Sequence, residues 1–189
     1  MLYGILRKFL SEQEAATYIE KSFSTTEAHI LEQQLQARLN APLTTSTGRV
    51  LDAASALLGL CSERTYDGRP AMTLEAHSGE PYACAPVITD GVLMTTPLFE
   101  FLIKHMHKDR TRLAATVQHY IAEGLYTIAV NEHKPIVWAG GCAYNRIMTT
   151  LMTERGVLIN KEIPPGDGGI SAGQIAVALR SANTGNDVT

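Results

Sequence analysis

Near the C-terminus the sequence reads KEIPPGDGGISAGQIAVAL, and its acidic residue Asp167 lies directly before a predicted helix. Two prolines stiffen the approach, while Gly168 and Gly169 leave open backbone at the start of the helix. The carboxylate of Asp167 could cap the helix by accepting bonds from its N–H groups. It could equally ligate a hard or borderline cation that bridges to a phosphate. This segment alone does not choose between the two roles.

A second candidate segment, VWAGGCAYNR, is an apolar strand that stops at Gly140 and Gly141 and continues as a predicted helix. Unpaired N–H groups at a helix start bind anions, and glycines let a phosphate approach the backbone. Asn145 falls on the first turn and could offer its amide to a ribose or phosphate oxygen. The same pattern also occurs as a tight structural connection.

Cys142 has no histidine nearby in sequence to act as a base, so we interpret it as a small residue filling tight space.

A third candidate segment, TTSTGRVLDAASALLGL, places Asp52 in an otherwise apolar helix, four residues after Gly48. A carboxylate on the flank of a helix could accept hydrogen bonds from ribose hydroxyls. It could instead pair with Arg49 or cap the helix locally. The segment by itself is compatible with each of these roles.

Elements with two different periodicities must position these residues. Helical spacing of apolar residues and start and stop signals predict helices over 26–40, 50–60, 97–107, 110–131, 143–155 and 168–182. The alternating run YACAPVITDGVLM predicts a hairpin that turns at Asp90 and Gly91. KPIVWAGG and residues 156–160 are typical of buried parallel strands.

The last third therefore has the order β-α-β-α, which predicts an α/β fold class. We divide the chain into an N-terminal helical segment over 1–43, a C-terminal lobe over 44–182 and a frayed polar tail over 183–189. Of the 189 residues, 45% are hydrophobic and 19% charged, which is ordinary for a soluble protein.

Charge and cysteine usage exclude several classes of function. The net charge of −3 provides no general attraction to nucleic acid or anionic membrane. No stretch approaches the roughly 20 apolar residues that a membrane span requires. Three cysteines without a CxxC pair indicate neither a disulfide framework nor a structural zinc site, and a reducing cytoplasm fits them best.

Taken together and in this order, the three segments resemble the C-terminal part of HypF, the carbamoyltransferase of [NiFe]-hydrogenase maturation. The similarity includes the YDGRPAMTLE stretch and runs from about Thr25 to Leu179. At greater distance the sequence is similar to the threonylcarbamoyl-transferases that modify tRNA adenosine. The resemblance implies one lobe of an actin-like ATPase or sugar kinase type of fold, with added helices and a hairpin, and a nucleotide cleft between two lobes.

The resemblance also implies roles for particular residues. It assigns nucleotide contacts to Gly140, Gly141 and Asn145, a contact with the nucleotide's sugar to Asp52, and a nearby position to Gly68. Asp167 matches a carboxylate that ligates the active-site metal, iron or zinc. The nucleotide would be ATP or carbamoyl-adenylate, from which the carbamoyl group passes to a cysteine thiol of a HypE-like acceptor protein.

The departures from the family are as informative as the matches. In the family two histidines in an HxxxH arrangement on the other lobe also hold the metal, and this sequence has no HxxxH; its His105 and His107 are two apart and in a different segment. His119 matches a helix histidine of the family, although core packing explains it as well. The acylphosphatase-like domain, the CxxC zinc fingers and the carbamoyl-adenylate-forming domain have no counterpart in this sequence, which therefore resembles about the last quarter of a larger enzyme.

These departures lead to expectations about partners and activity. We expect the chain to need an HxxxH-bearing N-terminal lobe or subunit, to be inactive alone, and to expose a face through which it could also form homo-oligomers. A non-catalytic nucleotide-binding or assembly module is the alternative. Threonylcarbamoyl transfer to tRNA ranks behind both, because the motifs match HypF better and the charge does not favour nucleic acid.

Overall fold

The computed structural model describes residues 1–184, and the predicted tail lies outside this range from residue 185 onward. The elements in chain order are α1 (Leu2–Leu6), α2 (Glu12–Thr17), α3 (Thr25–Gln36), α4 (Thr47–Leu57), α5 (Arg69–Ala76), β1 (Ile88–Thr89), β2 (Val92–Leu93), α6 (Thr96–Lys104), α7 (Arg110–Val130), β3 (Val137–Trp138), α8 (Arg146–Glu154), β4 (Leu158–Ile159) and α9 (Ile170–Thr184). Two 3-10 turns, Gly141–Tyr144 and Asp167–Gly169, precede α8 and α9. The fold class is a mixed, helix-rich α/β.

Helix α7 is the centre of the core. It packs against α4, α5, α6, α8 and the hairpin strand β2. Its face toward these neighbours is apolar and almost entirely buried, with Leu113, Val117, Tyr120 and Ile121 each at most 3% exposed. Burial of such side chains contributes about 1.5 to 3 kcal/mol each, so α7 anchors the elements that carry the candidate site.

The predicted hairpin is confirmed at the expected turn, where Asp90 and Gly91 both have positive φ. Strands β1 and β2 pair antiparallel, with Ile88 opposite Leu93. A Cβ on Gly124 of α7 would lie 2.4 Å from the Cδ1 of Leu93, so glycine gives the Leu93 side chain of the hairpin room to pack directly on the helix.

The predicted β-α-β-α order of the last third is also confirmed. Strands β3 and β4 pair parallel, with Val137 opposite Leu158 and Trp138 opposite Ile159. Helix α8 connects them, as parallel pairing requires. The two strands are shorter than predicted, because only two residues of each form the pair.

Helix starts differ by a few residues from the prediction because serine side chains provide the caps. Ser24 caps α3, which therefore begins at Thr25, and it forms a capping box with Glu27. Ser46 caps α4, so this helix begins at Thr47, three residues before its predicted start.

Helix α3 ends at Gln36, earlier than predicted. Arg38 and Asn40 then take positive φ, a conformation that interrupts the helix before the chain reaches Pro42. The apolar spacing alone gave no indication of this local break.

The N-terminal helices pack onto the rest of the chain through α1, which contacts α4 and α6. A charged network joins α1 to α3: the buried Glu32 carboxylate accepts hydrogen bonds from Tyr3, Arg7 and Gln36. Because α4 carries Asp52, these helices support one side of the candidate site.

Over residues 1–184, none of the helices combines the length and hydropathy of a membrane span.

Candidate functional site

The backbone between β3 and α8 is open at Gly140 and Gly141, the two glycines that the resemblance assigns to nucleotide contacts. Gly140 has φ +95°, which favours glycine, and no protein atom lies within 4 Å of the place where a Cβ would sit on Gly140 or Gly141. Both residues are exposed. A ligand could therefore approach this stretch of main chain directly.

Asn145 ends the same segment, but its side chain is engaged within the protein. Its Oδ1 accepts a hydrogen bond from the N–H of Met148 at 3.0 Å and so caps α8. Its Nδ2 donates to Oε1 of Gln118 at 2.7 Å, and the residue is only 7% exposed. Asn145 is thus the cap of α8 rather than a residue of its first turn, and one Nδ2 hydrogen is left for a ligand.

Asp52 lies on α4 beside the Gly141–Tyr144 turn, and the Arg49 guanidinium contacts its carboxylate. Pairing with Arg49, one of the alternatives that the sequence left open, is therefore present. However, neither carboxylate oxygen accepts a hydrogen bond of acceptable geometry from the described residues, although both oxygens are buried. A buried carboxylate without hydrogen bonds is costly, which marks Asp52 as a position where a further donor would be stabilising.

Cys142 lies between these groups and is not an activated nucleophile. Burial raises the pKa of its thiol, and the nearby Asp52 carboxylate raises it further. Both effects disfavour the thiolate, which is the reactive form. The interpretation of Cys142 as a packing residue is therefore supported, and all three cysteines are free.

Asp167 belongs to a loop that is tied to the glycine segment. The Gly140 N–H donates to the carbonyl of Pro165 at 2.7 Å, and a Cβ on Gly166 would lie 2.5 Å from the Tyr144 ring. These contacts bring the predicted metal-ligand segment beside the predicted nucleotide segment.

The Asp167 side chain is exposed and accepts no hydrogen bond from the described residues. It therefore does not cap α9 in this structure. Its lone pairs are available to a ligand, but no group of three His, Cys, Asp or Glu side chains within 1–184 could hold a metal ion. On its own this part of the chain fits one metal ligand and not a complete metal site.

Gly68 is the N-cap residue immediately before α5 and has φ +77°, the left-handed conformation that favours glycine. Helix α5 packs on α4, which carries Asp52. Its Glu75 carboxylate accepts a hydrogen bond from the N–H of Arg146 at the start of α8. The start of α8 is thus hydrogen-bonded to α5, and α5 packs on α4, which carries Asp52.

His119 does not belong to this group of residues. It lines a groove of about 650 Å³ between α7 and α8, together with Glu123, Glu154 and Arg155. Burial lowers the pKa of His119, with the charges of Glu123 and Glu154 acting against that change. The open groove has mixed charge, and the glycines of the 140–145 segment do not line it.

Sequence reasoning missed Gln118, the hydrogen-bond partner of Asn145. The available signal was a polar residue in the middle of the apolar face of α7, one position after Val117 and three before Ile121. A buried polar side chain in such a position requires partners, and this indicates a specific contact.

Comparison with known proteins identifies a carbamoyltransferase family. The family model described as "Carbamoyltransferase, Kae1-like Domain, second subdomain" matches residues 1–174. "Probable carbamoyltransferase HypF" of Methanocaldococcus jannaschii is 39% identical over 202 residues, covering 96% of this chain and 26% of that protein. "Carbamoyltransferase HypF" of Rhodobacter capsulatus is 34% identical, covering 78% of this chain and 21% of that protein.

Solved structures give the same result for the fold. The crystal structure of T. kodakarensis HypF matches 94% of this chain with a TM-score of 0.80 and 26% identity, over 26% of that protein. A full-length HypF in a phosphate- and nucleotide-bound form matches 95% of this chain with a TM-score of 0.76 and 24% identity, over 31% of that protein.

The chain spans about a quarter of the length of the first two curated relatives, with 26% and 21% of their lengths covered. The family model covers nearly all of the described residues, and T. kodakarensis HypF, at 26% identity, has the same fold. This chain therefore belongs to the family of the second Kae1-like subdomain of carbamoyltransferases and corresponds to the C-terminal part of the HypF proteins.

Proposed function

We propose that this chain supplies one wall of a carbamoyl-transfer site that is completed by a second lobe. The observation that carries the proposal is the convergence of Asp52, the Gly140–Gly141 backbone and Asn145 around the start of α8. The fold would then be one lobe of the actin-like ATPase or sugar kinase type, with residues 44–182 forming the lobe and 1–43 a helical addition. We place the protein in the cytoplasm, with a role in [NiFe]-hydrogenase maturation.

The proposed ligand is the adenine nucleotide part of carbamoyl-adenylate. Open backbone at Gly140 and Gly141 allows a phosphate to approach, and the remaining Nδ2 hydrogen of Asn145 can bond a ligand oxygen. Asp52 can accept a hydrogen bond from a ribose hydroxyl once Arg49 moves aside, and Gly68 keeps the start of α5 free of a side chain. These contacts would orient the nucleotide and leave its carbamoyl group toward the second lobe.

The proposed reaction is transfer to a cysteine thiolate of a HypE-like acceptor. The sulfur–carbon bond forms as the bond between the carbamoyl carbon and the phosphate oxygen breaks, and AMP leaves with the electron pair. Backbone N–H groups near the glycines would stabilise the developing negative charge. Asp167 would contribute one ligand to a divalent metal, which acts as a Lewis acid when bound, and the other ligands would come from the second lobe.

A non-catalytic nucleotide-binding or assembly module is the second candidate function. It is favoured by the incomplete set of metal ligands within residues 1–184. The two functions differ in one result: only the first gives carbamoyl transfer when an HxxxH-bearing lobe is added.

Weak adenine nucleotide binding by this chain alone is the expected result for both functions. In a calorimetric titration with AMP, Asn145→Ala should weaken binding by about 1 to 3 kcal/mol, because a polar partner of the ligand is lost. Ser24→Ala is the matched control, since it also removes a helix cap, in this case the cap of α3. No heat up to millimolar AMP with the unsubstituted chain would contradict the proposed nucleotide site.

Helix α9 of this chain is a candidate docking element for the second lobe. Ile170, Ile175, Val177 and Leu179 are 54 to 67% exposed. At 100° per residue, Ile170 and Val177 lie on one side of α9, while Ile175 and Leu179 lie on the opposite side. A helix that is apolar on both sides is normally enclosed by protein, so we propose that the first Kae1-like subdomain packs around it.

Single charges on either side of α9 should therefore prevent docking. We expect Val177→Glu and Leu179→Glu each to abolish co-elution with a separately expressed first subdomain of a HypF relative, because a buried unpaired charge is costly. Leu43→Glu should have no effect, since Leu43 is 97% exposed and lies before α4. If only one of the two α9 variants disrupts binding, the first subdomain contacts one side of α9 and does not enclose it.

A further inference from the structure

Gln118 is a fully buried polar residue in an apolar setting. Its exposed fraction is 0%, and it lies on the face of α7 that also buries Val117 and Ile121. Burial of an amide without hydrogen bonds costs several kcal/mol, so its partners decide whether this position is tolerable. All of its polar atoms have partners, which are Ser78 after the end of α5, Ala114 of α7 and Asn145 at the N-cap of α8.

The hydrogen bonds fix the direction of both amides. Nε2 of Gln118 donates to the carbonyl of Ala114 at 3.1 Å and to Oγ of Ser78, whose hydroxyl in turn donates to the carbonyl of Leu74. A carbonyl can only accept, so Nε2 must face Ala114 and Oε1 must face Asn145. At the other end the N–H of Met148 can only donate, so Oδ1 of Asn145 must face it.

The network therefore leaves Asn145 a single orientation. Its Nδ2 must point to Gln118, where one hydrogen is used, and the second hydrogen is left in a fixed direction. Without the acceptor on Gln118, the carboxamide would keep its cap to Met148 but lose the contact that holds Nδ2. A fixed polar group binds a ligand better than a mobile one because less conformational entropy is lost on binding.

We propose that Gln118 is a positioning residue for the nucleotide contact of Asn145, acting through this hydrogen bond and not by touching the nucleotide. The inference rests on the proposed nucleotide-binding function. It assigns a role in the nucleotide site to a residue of α7, a helix whose other buried side chains pack in the hydrophobic core.

The test is a titration of the full chain with AMP, followed by ¹H–¹⁵N spectra that include the side-chain amide of Asn145. Gln118→Met keeps the volume but removes the acceptor, and we expect AMP affinity to fall about 10-fold, the usual effect of one lost hydrogen bond. In the same variant the Asn145 amide signals should move to the positions of a free carboxamide. AMP should then no longer shift them as it does in the unsubstituted chain.

Thr116→Val is the matched control on the same helix. Thr116 is 1% exposed and bonds the N–H of Tyr82 and the carbonyl of Arg112, so its loss destabilises α7 without touching Asn145. We expect unchanged AMP affinity and unchanged Asn145 signals in this variant.

The possible outcomes separate the two proposals. AMP affinity retained in Gln118→Met, or lost equally in Thr116→Val, overturns the positioning role alone. No shift of any signal by AMP in the unsubstituted chain overturns the nucleotide contact and this inference with it.

Discussion

Asp167→Asn is expected to abolish carbamoyl transfer when this chain is reconstituted with an HxxxH-bearing first lobe, metal, carbamoyl-adenylate and a thiol acceptor. An amide is a much poorer metal ligand than a carboxylate. Loss of a direct ligand should cost more than the 10- to 100-fold that loss of an outer partner costs. The rate of transfer to the thiol is the first measurement, and the metal retained after gel filtration is the second.

The same substitution should leave the fold unchanged. The Asp167 carboxylate accepts no hydrogen bond from the described residues, so neither Asn nor Ala removes a cap from α9. Asp90→Asn is the matched control, because Asp90 is also exposed and lies in the hairpin turn, away from the 163–169 loop. Transfer at the unsubstituted rate with full metal content in Asp167→Asn would show that Asp167 is not a ligand.

Loss of the Glu32 carboxylate should have the largest effect on stability. Glu32 is 2% exposed and accepts bonds from Tyr3 at 2.6 Å, from Arg7 at 2.8 and 3.0 Å, and from Gln36 at 2.9 Å. Glu32→Gln leaves the guanidinium of Arg7 without its counter-charge. We expect the free energy of unfolding to fall by about 3 kcal/mol, the low end for a broken buried pair, because Arg7 is partly exposed.

The pH dependence of stability provides a second measurement of the same network. The hydrogen bonds from Arg7 lower the pKa of Glu32 from 4.5 to about 2, although burial opposes this change. A carboxyl whose pKa is lower in the folded state stabilises the fold above its unfolded pKa and loses that contribution as the pH falls. Urea unfolding should therefore show stability declining from about pH 5 toward pH 2, and this component should be missing in Glu32→Gln.

Glu20→Gln provides the control for charge removal, since Glu20 is exposed and outside the network. It should leave both the stability at neutral pH and its acid dependence nearly unchanged. Equal behaviour of Glu20→Gln and Glu32→Gln would contradict the importance of the network. Because α1 packs on α4, Glu32→Gln should also weaken AMP binding indirectly.

Local patterns in the sequence determined the elements and the candidate residues. The apolar spacing from Leu113 to Ile128 predicted α7, Asp90 and Gly91 predicted the hairpin turn, and the apolar run before Gly140 predicted β3. These features follow from backbone sterics and from the burial of one face, which act over a few residues and are therefore legible in a single sequence. The motifs in combination also indicated the family, which the comparisons confirm.

The state of each candidate side chain was decided only by tertiary structure. Whether Asn145 offers a free amide depends on Gln118, which is 27 positions away, and the place of Asp52 in the site depends on the contact of α4 with the Gly141–Tyr144 turn. Capping by Asp167 was compatible with the sequence but does not occur: the Asp167 carboxylate is exposed, and the loop before α9 is joined to the Gly140 N–H through the Pro165 carbonyl. Hydrogen-bond partners and burial arise from contacts between distant segments, and residue spacing along the chain does not encode them.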